Sequence, residues 1–189
     1  MSGAIEMYIA GHQVARDSLV QGDILRDIHI LGALCYQEIL IATPSTGEAK
    51  PLSWSVPKEP IRGDALVLSH SCEIAVENGV KLTSVILAPL RDVSKATAPA
   101  KVQELVESNL IDQSGAHSSF LKYFYLDPHA QLVYAKGAVA DFSKLFSVRK
   151  TSYDYLLSRK VLQLTDEVRF SMSLKLALYF HRAAKASAA

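Results

Sequence analysis

The sequence predicts an α+β protein: a small, strongly bent antiparallel β-barrel with one inserted helix and a C-terminal helical segment packed on it. Three observations predict it. Short β-branched and aromatic runs, punctuated by Gly, Pro, Asn and Asp, fill most of residues 1–147, the pattern of about six or seven short strands. One stretch of helical periodicity, residues 99–111, interrupts them. From residue 148 the apolar spacing turns helical. A barrel over 1–147 and a helical segment over 148–189 would fold together as one domain.

The chain has 189 residues, 49% of them hydrophobic and 21% charged. That is a globular composition, long enough to bury a core. It has no apolar run approaching the roughly eighteen residues of a membrane span. The N-terminus lacks a charged-then-apolar signal pattern. Cys35 and Cys72 make no disulfide framework, so the expectation is a reduced, cytoplasmic protein. The net charge of +1 gives no general attraction to nucleic acid, but it is unevenly spread. Nine basic and four acidic residues lie from Asp141 onward, leaving −4 on residues 1–140. The basic C-terminal third is either a polyanion-binding surface or the solvated face of a helix.

In chain order, Met7–Ala10 reads as a short edge strand, with Gly11-His12 and then Gln21-Gly22-Asp23 as turns. Ile24–Leu34 alternates with mixed faces and predicts a long curved strand, Gly32 permitting a bend. Tyr36–Thr43 is the next strand, closed by Pro44-Ser45-Thr46-Gly47. Pro44, Pro51, Pro57 and Pro60 leave little regular structure before Gly63. Trp54, the single tryptophan, lies in this stretch. It either anchors the loop on the barrel or stacks on a ligand or base. Residues 64–69 and Leu82–Ala88 form two more strands, the second stopped by Pro89, with Asn78-Gly79 as a tight turn between them. Their pairing is expected to set Arg91 near residues 69–73.

Thr97-Ala98-Pro99 starts the inserted helix, because proline in the first turn lacks only an N–H that had no partner. Val102, Leu105, Val106, Asn109 and Leu110 line one face of it. Phe120–Leu126, Leu132–Ala135 and Val139–Phe142 read as strands, and Ser152–Ser158 as a short helix. Val161–Leu164 reads as an extended link. Thr165-Asp166-Glu167 offers a hydroxyl cap and two carboxylates for the start of a last helix running to about Ala184. Val168, Met172, Leu176 and Phe180 are its predicted buried stripe, with Arg169, Ser173, Lys175 and Arg182 outside and Ala186–Ala189 frayed.

The chemistry-bearing stretch is Gly63–Ile74. A buried apolar strand ends abruptly in Ser69, His70, Ser71, Cys72 and Glu73, and polar residues at the end of a buried strand are a common way to build a site. Cys72 would be a thiolate nucleophile with His70 as base. Otherwise Ser69 and Ser71 tie down a turn, Cys72 is a small buried hydrophobe, and Glu73 starts a short helix. No cofactor is predicted. His29, Cys35, His70, Cys72, His117 and His129 show no metal-ligand spacing, and neither a phosphate loop nor a dinucleotide fingerprint is present.

Gly22-Asp23-Ile24, Leu66-Val67-Leu68-Ser69 and Val85-Ile86-Leu87-Ala88-Pro89 together resemble the PemK/MazF toxin family over residues 20–90. The resemblance implies a dimeric, SH3-like barrel that cleaves single-stranded RNA without metal. Arg62 stands near the Arg-Pro that precedes the serine-ending strand in that family, and Pro89-Leu90 is followed by Arg91 where the family often carries a Thr or Ser. The chain departs from the pattern in its length, in His70-Ser71-Cys72-Glu73 and in its C-terminal helices. A ribonuclease of this kind would use Arg62 or Arg91 to hold phosphate charge and His70 or Glu73 as base.

Three functions therefore compete: a PemK/MazF-like protein that binds or cleaves RNA or DNA in a toxin or phage-defence setting, a non-catalytic protein-interaction module, and a thiol hydrolase built on Cys72. The partners they imply are single-stranded RNA or another nucleic acid, or a protein, with a homodimer possible and no membrane.

Overall fold

The computed structural model describes residues 6–11, 13–29, 62–74, 84–109 and 120–187. The expected strand at Tyr36–Thr43, Trp54 and His117 lie outside the described residues, as does the far part of the strand placed at Ile24–Leu34.

The α+β class holds. The strands are β1 (Asp23–His29), β2 (Arg62–Val67), β3 (Ser84–Asp92), β4 (Tyr123–Leu126), β5 (Ala138–Asp141), β6 (Phe146–Arg149) and β7 (Lys160–Gln163). They form one curled antiparallel sheet in the order β4-β5-β3-β2-β1-β7, with β6 also paired to β3. The helices are α1 (Ser71–Ile74), α2 (Val93–Ala96), α3 (Val102–Glu107), α4 (Tyr153–Ser158) and α5 (Asp166–Ser187).

Strand alternation divides the sheet's side chains among three cores, one of them Tyr123, Tyr125 and Val139 packed with Val93, Phe120 and Leu105 of α3. Ile24, Leu66, Ala88, Leu90, Phe124 and Leu162 face one side, where Val168 and Met172 of α5 close over them. Leu25, Ala65, Val67, Val85 and Leu87 face the other, against Phe146 and Leu156 of α4. A period of two sends successive residues to opposite faces, so the near-continuous apolar run of β2 reflects burial on both sides.

Several expectations are corrected. Pro89 does not stop β3, which continues to Asp92. The Ile86 N–H points toward β2, where it meets Ser69, so by alternation the Pro89 nitrogen points the other way. On that side β6 has ended at Leu87 and β5 begins only at Leu90. The missing N–H thus falls between two partners, where a ladder tolerates proline. Val161–Leu164 is not a free link, since β7 pairs with β1. Leu132–Ala135 is turn and bend rather than strand. Met7–Ala10 contributes a single bridge, Tyr8 to Leu164. The Thr165 hydroxyl donates to the Glu6 carbonyl rather than capping α5, and the helix runs on through Ala186 to Ser187. On α5, Phe180 is 47% exposed and Lys175 is completely buried, the reverse of their expected places.

Candidate functional site

The stretch around Ser69 is a corner held by hydrogen bonds. The Ser69 hydroxyl accepts the Ile86 N–H at 2.8 Å, and the Leu68 N–H reaches the Ile86 carbonyl at 2.9 Å. The Ser71 hydroxyl accepts the Gln21 N–H at 3.1 Å, while the Gln21 amide donates to the Leu68 carbonyl at 2.8 Å. Ser173 of α5 donates to the same Gln21 side chain. Both hydroxyls are therefore engaged by backbone N–H groups that would otherwise lack a partner. His70 is exposed. Cys72 and Glu73 belong to α1, and their side chains lie outside the described residues.

Arg62 and Arg91 do not join the Ser69 corner. In the β2–β3 register Ala65 lies opposite Pro89 and Val67 opposite Leu87. Arg62 and Arg91 therefore lie at one end of this strand pair, and Ser69 through Glu73 follow from the other. The expectation that Arg91 lies near residues 69–73 is corrected: antiparallel pairing brings the start of β3, not its end, to that corner. At about 3.3 Å per residue, the seven steps from Arg62 to Ser69 span roughly 20 Å. His70 is thus remote from a phosphate held on Arg62 of the same chain. Arg91 is paired with the buried Asp141 at 3.1 Å.

The Arg62 end carries a second polar constellation. Leu25 pairs with Ala65 and Ile28 with Gly63, so Arg26 and Asp27 together face Asp64 across a β-bulge. Asp27 has φ 52°, a left-handed backbone that aspartate tolerates better than most residues. Its N–H donates to Asp64 Oδ1 at 3.0 Å, which holds the bulge from within the sheet. The Asp27 carboxylate receives Arg62 at 3.1 Å and Arg159 at 3.4 Å. The Arg159 guanidinium also lies 5.4 Å from the Tyr155 ring centroid, within cation–π range. Arg26, exposed, donates to the Gln131 carbonyl.

Asp64 is buried, and its Oδ2 has no donor at full hydrogen-bond geometry. Tyr134 lies beside it. Burial, then the Asp64 charge and hydrogen bonding, holds the Tyr134 phenol above the ordinary tyrosine range. A cleft of about 390 Å³ adjoins this end, lined by Arg16, Gln131, Leu157, Ser158 and Lys160 among others. Arg16, Arg26 and Arg159 thus supplement Arg62, and Asp27 pairs with two of the four, Arg62 and Arg159. In the sequence, Arg26-Asp27 stands as an adjacent charged pair in a strand, DILRDIH, whose faces are mixed. Among the described residues, no cluster of His, Cys, Asp and Glu is arranged to hold a metal.

No protein-family model matches this chain, and no curated protein is similar to it in sequence. Among the described residues, no helix is long and apolar enough to cross a membrane.

Proposed function

We propose that this protein binds single-stranded nucleic acid, RNA foremost, at the Arg62 end of its curled sheet, and that the sheet is an SH3-like half-barrel of PemK/MazF type. The observation that carries the reading is the Asp27 carboxylate set between the Arg62 and Arg159 guanidiniums, with Arg26 on the same bulge. A carboxylate that orients arginine forks reduces the ordering cost of engaging a phosphate. Two or three such contacts beside an open cleft suit a backbone-tracking groove.

Binding without cleavage is the better-supported form of this reading, because the candidate base His70 lies at the opposite end of β2. The toxin or phage-defence setting rests on the PemK/MazF resemblance and is proposed with it.

The test is the salt dependence of binding to a labelled single-stranded RNA, with a duplex DNA control. Micromolar or tighter affinity at low salt is expected, with log K falling against log salt at a slope near −0.7 per phosphate contacted. Arg62→Ala should reduce that slope by about one contact. Absence of binding at low salt would overturn the proposal.

A further inference from the structure

The cleft beside the Arg62 end has an apolar wall and a polar one. Val14, Leu157 and Val161 are half-buried and apolar, with Lys160 among them. The Lys160 ammonium is engaged by Asp23 at 2.9 Å and by the Ser18 carbonyl at 3.0 Å, which leaves its methylene stem to line the cleft. Arg16, Gln131 and Ser158, all exposed, form the polar wall. The Ser158 hydroxyl donates to the Tyr155 carbonyl at 2.7 Å, so its lone pairs are left to accept a hydrogen bond. The walls are held without help from a ligand. The Gln13 N–H donates to the Ala10 carbonyl, the Leu132 N–H to the His129 carbonyl and the Arg159 N–H to the Leu156 carbonyl, at 2.8, 2.9 and 3.0 Å. A preformed cleft of about 390 Å³ falls in the lower part of the roughly 300–1,000 Å³ range of small-molecule sites, a size that suits one nucleotide.

Charge identifies the polar end of the ligand. Arg62 and Arg159 share the Asp27 carboxylate. Arg16 and Arg26 are exposed, and among the described residues neither is ion-paired to a carboxylate. The Arg26 guanidinium donates to the Gln131 carbonyl at 3.4 Å, which brings it to the polar wall. The Arg26 N–H donates to the Arg159 carbonyl at 2.9 Å, which ties β1 to the segment carrying Ser158 and Lys160. No described residue lining the cleft is acidic. Two uncompensated guanidiniums at one cleft match a ligand carrying close to two negative charges. A phosphate monoester has about −1.5 to −2 at neutral pH, whereas each phosphodiester of a continuous strand has about −1. The apolar wall suits the face of a base, which inorganic phosphate lacks.

We infer that this cleft binds a single nucleotide by its terminal phosphate monoester, with the phosphate held by Arg16 and Arg26 and the base against Val14, Leu157 and Val161. The nucleotide is either free or the phosphorylated end of a single strand. The inference goes beyond strand binding at Arg62 and does not rest on it, because a free mononucleotide fills the cleft without any strand. The lining residues lie outside residues 20–90, the part of the chain that resembles the toxin barrels.

The test is isothermal titration of the full chain with adenosine monophosphate, adenosine and inorganic phosphate. The monophosphate is expected to bind with Kd below about 100 µM, and adenosine and inorganic phosphate each at least about tenfold more weakly, since each lacks one of the two ends. Arg16→Ala and Arg26→Ala should each weaken monophosphate binding about tenfold by removing a charge-assisted hydrogen bond, with thermal unfolding unchanged because both side chains are exposed. A single-stranded RNA whose first nucleotide carries a phosphate monoester, compared with the same RNA ending in a hydroxyl, separates the two sources. Tighter binding of the phosphorylated strand assigns the cleft to strand ends, and equal binding of the two assigns it to free nucleotides. Monophosphate binding no tighter than that of adenosine, or indifferent to both Arg16→Ala and Arg26→Ala, would overturn the inference. Monophosphate binding without any RNA binding would remove the Arg62 reading and leave this one standing.

Discussion

Lys160 Nζ lies 2.9 Å from Asp23 Oδ2, and both side chains are withdrawn from solvent, 2% and 0% exposed. The pair joins β7 to the first residue of β1. Asp23 also accepts the Val20 N–H at 2.7 Å, and Lys160 donates to the Ser18 carbonyl at 3.0 Å. Even so, burial pushes the Asp23 carboxyl up to about 6, against the lowering effect of Val20 and Lys160. Desolvation thus outweighs the attraction, as is common for buried ion pairs. Removing one partner leaves the other charge stranded. Asp23→Asn and Lys160→Met should each cost about 3–5 kcal/mol at neutral pH, and the double variant less than the sum. The sign with pH follows from the raised carboxyl. The folded state holds the extra proton between 3.8 and about 6, so this contribution to stability is full below that window and lost as pH rises through it. Urea titrations should show the wild-type advantage over Asp23→Asn narrowing from pH 4 to 6.

Lys175 is the opposite case. It is wholly buried, and its ammonium donates to two uncharged groups, Ser108 Oγ at 2.7 Å and Asn109 Oδ1 at 3.4 Å. Neither depends on the lysine. Ser108 donates to the Leu105 carbonyl, and the Asn109 amide pairs with both the N–H and the carbonyl of Tyr125, extending the edge of β4. Desolvation lowers the Lys175 pKa to about 7. Between about 7 and the ordinary value of 10.5 the unfolded chain holds a proton that the folded chain does not. Stability should therefore rise with pH across this window, by about 1.4 kcal/mol per unit at most. Lys175→Met should flatten that rise and stabilise the protein most at pH 6–7, where the wild type carries the cost. Thermal unfolding from pH 6 to 10 reads both effects.

What the sequence made legible and what it hid follow from range of interaction. The α+β class, the β2 and β3 strands and the start of α5 were readable because they depend on local spacing and turn residues. Pro89 was misread because its tolerance depends on which neighbour faces its nitrogen, a fact of sheet order. Lys175 and Phe180 exchanged places because α5 packs on one face while carrying apolar residues on both, so periodicity alone pointed to the wrong partners. Ser69 looked like chemistry because a hydroxyl that accepts a distant backbone N–H is, in sequence, the same as one that meets a ligand. Arg62 was visible only through the PemK/MazF resemblance, whereas Arg159 joins it across a separation of many residues.

Ser69 and Arg62 consequently separate stability from binding. Ser69→Ala removes the acceptor of the part-buried Ile86 N–H and should cost about 1 kcal/mol, with RNA affinity unchanged at temperatures where the variant is folded. Arg62→Ala, at a pair whose members are about half exposed, should change stability by less than about 1 kcal/mol and weaken RNA binding. Chemical denaturation beside a binding titration checks both. Equal loss of affinity in the two variants would remove the Arg62 end from consideration as the binding surface.

Gly137 and Gly22 both have left-handed backbones, φ 87° and 86°, yet their alanine variants should differ. The left-handed conformation alone costs an alanine about 1–2 kcal/mol. At Gly22 a new Cβ would meet Cγ and Cδ of Arg169 and, at 3.3 Å, Cβ of Leu164, side-chain atoms rather than strand backbone. At Gly137 it would fall 2.5 Å from the Leu126 carbonyl oxygen and 2.8 Å from the Tyr125 ring. That oxygen belongs to β4, which is paired to β5 through Leu126 and Ala138, so relief requires breaking the strand pair beside it. Gly137 also donates its N–H to the Tyr134 carbonyl at 3.0 Å, which closes the turn that sets Tyr134 against Asp64. Gly137→Ala should therefore cost roughly 3 kcal/mol or more, against about 1–2 kcal/mol for Gly22→Ala. Because the distortion passes through the Tyr134 turn to the Arg62 end, Gly137→Ala should also weaken RNA binding at temperatures where it remains folded, and Gly22→Ala should not. Paired denaturation and binding measurements on the two variants test whether that turn is part of the surface.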